Sequence, residues 1–185
     1  MYKYKNAIGH PIRLHDGKTL LITKDEYSVN PRKDMDTFST IVAWHNDYIV
    51  GDKHKYRTPK DFLDEWEGKA YIYDLFMYQH GMAYLSMEPF NDVWGNAQVG
   101  YIYVPKSKAE SEHLSEEQVY EIVKSELSIY NDWFTGNVYG YVLEDEDWNC
   151  VDSCWGFIGD IEKSGLLDSI PEEYREEVSS ALLVQ

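Results

Sequence analysis

Cysteine, basic residues and long apolar runs are all scarce in this 185-residue chain. The only cysteines are Cys150 and Cys154. Their CxxxC spacing is not that of a zinc ribbon, and no second pair could complete a four-thiolate site. Two small buried thiols on one face of a strand are expected instead. No run of about 18 apolar residues occurs, which argues against a membrane-spanning helix. The opening Met1-Tyr2-Lys3-Tyr4-Lys5 has no apolar core of a signal peptide, so the cytosol is the expected location, with both thiols reduced. GxGxxG, GxxxxGK[ST] and GxSxG are absent, which removes nucleotide binding through those loops and a nucleophile elbow. No repeat or low-complexity linker divides the chain, so one domain spanning 1–185 is expected.

The shortage of cations is uneven. There are 17 Lys and Arg against 33 Asp and Glu, a net charge of −16. Residues 1–100 hold 12 basic and 14 acidic side chains, whereas residues 101–185 hold 5 and 19. The acidic half should repel a phosphate backbone, so no direct nucleic-acid binding is expected there. It should steer a basic partner toward itself. The alternative is that the acid serves solubility alone.

Aromatic residues, by contrast, are plentiful. There are 16 Tyr and 6 Trp within a hydrophobic share of 43%, which is enough to build a core in spite of the charge. Ile12–Leu14 and Thr19–Ile22 flank Asp16-Gly17, which predicts a hairpin. Residues 30–34 read as a loop, and Thr40–His45 as a buried strand. Thr58 and Pro59 form an N-cap and first helical position for a short helix that Gly68 ends. Ala70–Tyr78, Gly81–Leu85 and Gln98–Val104 read as further strands. The longest helix is expected over Ser115–Phe134. Ser115 and Gln118 form its capping box, and Val119, Ile122, Val123, Leu127, Tyr130, Trp133 and Phe134 its apolar stripe. Two strands, Asn137–Leu143 and Cys150–Ile158, should be joined by an acidic turn. A last helix should open at Ser169 with a second capping box. The fold class is α+β: a mostly antiparallel sheet, one long helix packed on a face and a short C-terminal helix.

Few residues suggest chemistry. His45, Asp52 and His54, with Asp47 nearby, supply the imidazole and carboxylate donors a divalent metal takes. Their spacing matches no helix-borne metal motif, and hydrogen-bonding roles for the histidines are the simpler reading. Glu126 falls inside the apolar stripe of the long helix. It is either a perturbed acid or the partner of an internal Arg or Lys. Glu144, Asp145, Glu146 and Asp147 gather at a turn beside Trp148, and Glu172, Glu173, Glu176 and Glu177 line the last helix. An exposed aromatic bounded by carboxylates can anchor a protein interface, and among Trp94, Trp133 and Trp148 the last is expected to be exposed.

A family resemblance rests on three stretches. The first is Asn30-Pro31-Arg32 with Asp34, Asp36, Thr40, Val42, Trp44-His45, Tyr48 and Gly51-Asp52-Lys53-His54. The second is Gln98–Val104. The third is Gly140-Tyr141-Val142 leading to Val151-Asp152-Ser153-Cys154-Trp155-Gly156-Phe157. In that order they resemble a family of small proteins carried by phages and other mobile elements, over about residues 28–160. The resemblance implies an accessory protein, with anti-CRISPR inhibitors of RNA-guided Cas nucleases among such families, and carries over no catalytic residues. Asn91-Asp92-Val93 and Gly95-Asn96-Ala97 depart from the family pattern, in which a Cys- and Asp-Ser-Gly-containing segment is more usual.

Three functions follow. The first is an acidic, non-enzymatic, DNA-mimicking inhibitor that needs no cofactor and binds a basic host protein, such as an RNA-guided nuclease complex, through residues 144–148 and the glutamates of the last helix. The second is a metal-dependent hydrolase or nucleic-acid-modifying enzyme built on His45, Asp52 and His54. The third is a phage protein that regulates a host enzyme outside defence. The first is the expected one.

Overall fold

The computed structural model describes residues 7–80, 82–90 and 96–183. The Asn91–Gly95 segment around Trp94 therefore lies outside the described residues, as does the chain's opening. In chain order the elements are β1 (Ala7–Arg13), β2 (Thr19–Lys24), α1 (Pro31–Asp34), β3 (Thr40–Ala43), α2 (Pro59–Trp66), β4 (Ala70–His80), β5 (Met82–Ser86), β6 (Asn96–Pro105), α3 (Lys106–Ser111), α4 (Glu116–Phe134), β7 (Val138–Glu144), β8 (Cys150–Ile158), α5 (Leu166–Ser169) and α6 (Glu172–Leu182). The class is α+β with antiparallel sheets. No helix among the described residues is long and apolar enough to cross a membrane.

Two four-stranded sheets form where the sequence suggested one. They belong to two compact units: residues 1–29 with 136–185, and residues 30–135. In unit 1 the strand order is β1-β2-β7-β8. Leu20, Ile22, Tyr141 and Leu143 project from one sheet face onto Leu166 of α5, Ile170 just after it, and Tyr174 and Val178 of α6. In unit 2 the order is β3-β6-β4-β5. One face, with Leu75, Met77, Ile102 and Val104, packs against Val119, Val123, Leu127 and Tyr130 of α4. Each such aliphatic side chain, once buried, is worth about 1.5–3 kcal/mol. On the opposite face, Phe62 of α2 stacks on Tyr101, with ring centroids 5.3 Å apart.

Local signals explain most boundaries. Thr58 and Asp61 close a reciprocal capping box on α2, and Ser115 and Gln118 close another on α4. Within the expected loop over 30–34, Pro31–Asp34 are helical, because Asn30 Oδ1 accepts from Arg32 N and Pro31 takes the first helical position. The capping box expected at Ser169 does not form. Ser169 ends α5 and gives its hydroxyl to Gly165 O, and α6 starts after Pro171 with no side-chain cap.

Candidate interaction face

In unit 1 the β1–β2 turn is the platform on which both acidic sets meet. Gly17 adopts φ +90°, a left-handed conformation that glycine tolerates without steric cost. Leu14 N donates to Lys18 O at 2.9 Å, closing the turn. The Glu146 carboxylate lies directly over Gly17, where a Cβ would collide with its Oε1. On another side of the turn, His15 N and Nδ1 lie 3.3 and 3.2 Å from Glu177 Oε2 of α6. Tyr174, one turn earlier on α6, donates its hydroxyl to Asp16 Oδ2 at 2.7 Å and accepts from Lys18 Nζ at 3.0 Å. The β7–β8 turn and α6 therefore both abut the same four-residue hairpin turn.

Two cations of this region, Lys18 and Arg175, are spent inside the unit. Lys18 is ion-paired to Asp16. That pair, reinforced by Tyr174, holds the Asp16 carboxyl well below the usual carboxylate range and pushes the Lys18 ammonium up. Arg175 turns back to donate to Ile170 O at 2.8 Å and to Asp168 O. Among the described residues no ion pair involves Glu146, Asp147, Glu172, Glu173 or Glu176, and all five are exposed.

The acidic turn has a built geometry. Asp145 accepts from Asp147 N (2.9 Å), Asn149 N (2.8 Å) and the Asn149 side chain, and these bonds, those from Asn149 first, hold its carboxyl below the ordinary value. This closed loop carries Trp148 at φ +64°, an uncommon conformation for a residue with a Cβ, and leaves the indole 57% exposed. Glu144 must be removed from the expected face. It is the last residue of β7, paired with Thr19 and Cys150, and only 1% exposed. Asp145 is half-buried and committed to its own turn, which leaves Glu146, Asp147 and Trp148 to face outward. Cys150 also departs from expectation: β7 and β8 change register between Leu143 and Glu144, which leaves Cys150 exposed while Cys154 packs on the core.

The residues suggested for a metal in unit 2 do not converge. Asp52 is engaged by Arg32, with Nη2 at 2.6 Å and Nε at 3.3 Å, and by Ile41 N at 2.7 Å. His45 Nδ1 accepts from Asp47 N and Tyr48 N at 3.1 and 3.2 Å, ordering its own loop. His54 Nε2 lies 3.0 Å from Ala43 O, which requires that nitrogen to be the donor. Among the described residues no three His, Cys, Asp or Glu side chains are grouped as metal ligands. Glu126 proves to be the partner of an internal arginine. It accepts from Ser39 N at 2.9 Å, from the Ser39 hydroxyl and from Phe38 N, with Arg32 Nη1 at 3.6 Å. Sequence gave no sign of a cleft of about 360 Å³ between β5 and α4, lined by Tyr84, Met87, Glu88, Lys124 and Ser128 among others.

No protein-family model, curated protein or solved structure matches this chain.

Proposed function

We propose that the protein is a non-enzymatic inhibitor encoded by a phage or mobile element, acting in the host cytosol, whose unit 1 acidic face occupies the basic nucleic-acid channel of a host nuclease such as an RNA-guided Cas nuclease. One observation carries the reading: Glu146 of the β7–β8 turn and Glu177 of α6 lie against the same hairpin turn, so two acidic segments separated in sequence share one region of unit 1. The reading has one physical condition, an excess of anions that the cations among them do not cancel. Lys18 and Arg175 meet that condition by bonding inward.

Carboxylates arranged this way imitate the charge, not the shape, of a phosphate strand. Their attraction for a basic channel acts at long range and is screened by salt. Trp148, held out beside Asp147, supplies the aromatic contact that such interfaces use as an anchor.

The test is a DNA-cleavage assay with guide-loaded nuclease, paired with binding measurements across salt. Kd should rise at least about tenfold between roughly 50 and 200 mM salt. Charge reversal in Glu146→Lys/Asp147→Lys, or in Glu172→Lys/Glu173→Lys/Glu176→Lys, should abolish inhibition. Undiminished cleavage at saturating protein, with no nucleic-acid-binding protein retained from phage-infected cells, would end this reading.

A further inference from the structure

An edge strand leaves backbone N–H and C=O groups that a fold must pair, cover or blunt. The two sheets have four edges: β1, β8, β3 and β5. Three are managed. At β3, Asp52 N donates to Ile41 O at 2.9 Å, and Asp52 Oδ2 accepts from Ile41 N at 2.7 Å. At β5, the Asn131 side-chain amide accepts from Leu85 N at 2.9 Å and donates to Leu85 O at 2.8 Å, copying the contacts of an incoming strand. In β1, Pro11 has no N–H to offer, and the register shifts between Ile8 and Ile12.

β8 is covered least: its register shifts at Val151 and Gly156 leave Asp152–Trp155 as a regular stretch with no side chain of another element laid along it. It runs nine residues without Pro, Lys or Arg. Ser153 N–H is turned away from β7 and bonds Asp152 Oδ1 at 2.9 Å. By strand alternation within the regular Asp152–Trp155 stretch, the N–H and C=O groups of Trp155 face the same open side. Among the described residues no side chain from another element caps Val151, Ser153 or Trp155. Val151 is 52% and Trp155 44% exposed, and the Trp155 indole lies over Gly140 on the neighbouring strand.

We propose that the open edge of β8 receives an extended, lysine- or arginine-bearing segment of a partner protein as a fifth strand of the unit 1 sheet. Charge decides the occupant. Between residues 144 and 162 there are seven Asp and Glu and no Lys or Arg. Glu146 and Asp147 precede the strand and Asp160 and Glu162 follow it, all exposed. A second copy pairing antiparallel would set these carboxylates against each other, whereas a cationic strand meets them at both ends while its apolar residues lie on Val151 and Trp155. The sign of the occupant's charge rests on the acidic-face reading above, but the mode of binding does not.

The probe is a synthetic nine-residue peptide alternating lysine and valine, with a glutamate–valine peptide as its charge-reversed control. Backbone amide hydrogen exchange should slow at Ser153 and Trp155 with the first peptide and not with the second. Ser153→Pro removes the outward N–H and with it only the exposed bond to Asp152, so binding should weaken about tenfold, the loss of one or two backbone hydrogen bonds, with thermal unfolding little changed. Should that variant unfold, Val151→Lys and Trp155→Lys, at exposed positions, should weaken binding similarly. Equal binding by the edge variants, protection confined to other strands, or β8 amides already protected in a sedimenting dimer would overturn strand addition. Salt-sensitive binding without protection of β8 would overturn it while leaving the acidic face intact. Protection of β8 without nuclease inhibition would do the reverse.

Discussion

Replacing Arg32 by methionine tests a heavily bonded buried charge. The Arg32 side chain is 1% exposed, against 20% for Asp52 and 17% for Glu126. Its guanidinium donates to both Asp52 oxygens, at 2.6 and 3.3 Å, and to Ser39 O at 2.6 Å, and stands 3.6 Å from Glu126. Methionine fills the same space and supplies no charge, so two carboxylates lose their cation. Breaking a buried pair in this way costs about 3–5 kcal/mol. Each carboxylate keeps backbone donors, Ile41 N for Asp52 and Ser39 N for Glu126, which places the expected loss near the lower end, about 3 kcal/mol. Equilibrium urea unfolding, read by hydrogen exchange of unit 2 amides, measures it. The triple variant R32M/D52N/E126Q should recover most of the loss, because no uncompensated charge remains. An R32M protein within about 0.5 kcal/mol of the parent would refute the argument, since it would mean that water already reaches the network and the pairing contributes nothing.

Two further outcomes follow from buried polar groups in unit 2. Asn131, 4% exposed, makes two hydrogen bonds to the β5 backbone, so Asn131→Ala should cost about 2–4 kcal/mol and expose the Leu85 amide to faster exchange. The Tyr73 hydroxyl is buried without a hydrogen-bond partner among the described residues, and burial pushes its pKa up to about 12, so Tyr73→Phe should stabilise by about 1 kcal/mol in thermal melts. The sign for alkaline pH follows from the same shift. Between pH 10 and about 12 the folded state holds a proton that the unfolded state has released, so Tyr73 makes stability fall across that window. Melts of Y73F should show a shallower decline there, and an identical decline would refute the assignment.

Legibility in sequence followed the range of the interaction. The Asp16-Gly17 turn, the N-cap at Thr58 and the capping box at Ser115 are decided within a few residues, and all three form as read, with Asp61 completing a box at Thr58 beyond the expected N-cap. Glu126 could be flagged as a carboxylate needing a donor, but Arg32 lies 94 positions away and nothing local names it. Glu144 reads as a turn residue in a run of four acids. The ladder with Thr19 extends β7 by one residue and buries it, an outcome set by the partner strand rather than by its neighbours. The short helix α3 follows Pro105 directly and has no side-chain cap, so no start signal marks it. Division into two sheets was equally hidden, because β2 finds β7 across the whole of residues 30–135.

That division changes what the net charge means. Along the sequence, the acid reads as one block beginning near residue 101. In the folded chain that block is cut at Gly136, with residues 101–135, α4 and its glutamates among them, in unit 2 and residues 136–185 in unit 1. Unit 1 then holds 7 basic and 15 acidic residues, and unit 2 holds 10 and 18, a net of −8 in each. Net charge therefore cannot distinguish a binding face from a solvated one, since both units carry the same total. Local neutralisation can. In unit 2 the exposed Asp64 and the half-buried Glu65 each hold a lysine, Lys60 and Lys55, and cancel much of their own field. In unit 1 the cations beside α6 bond inward and the outward carboxylates keep theirs. Salt dependence should accordingly track the unit 1 glutamates: reversing Glu172, Glu173 and Glu176 should flatten it, and reversing an equal number of acids on the outer face of α4 should not.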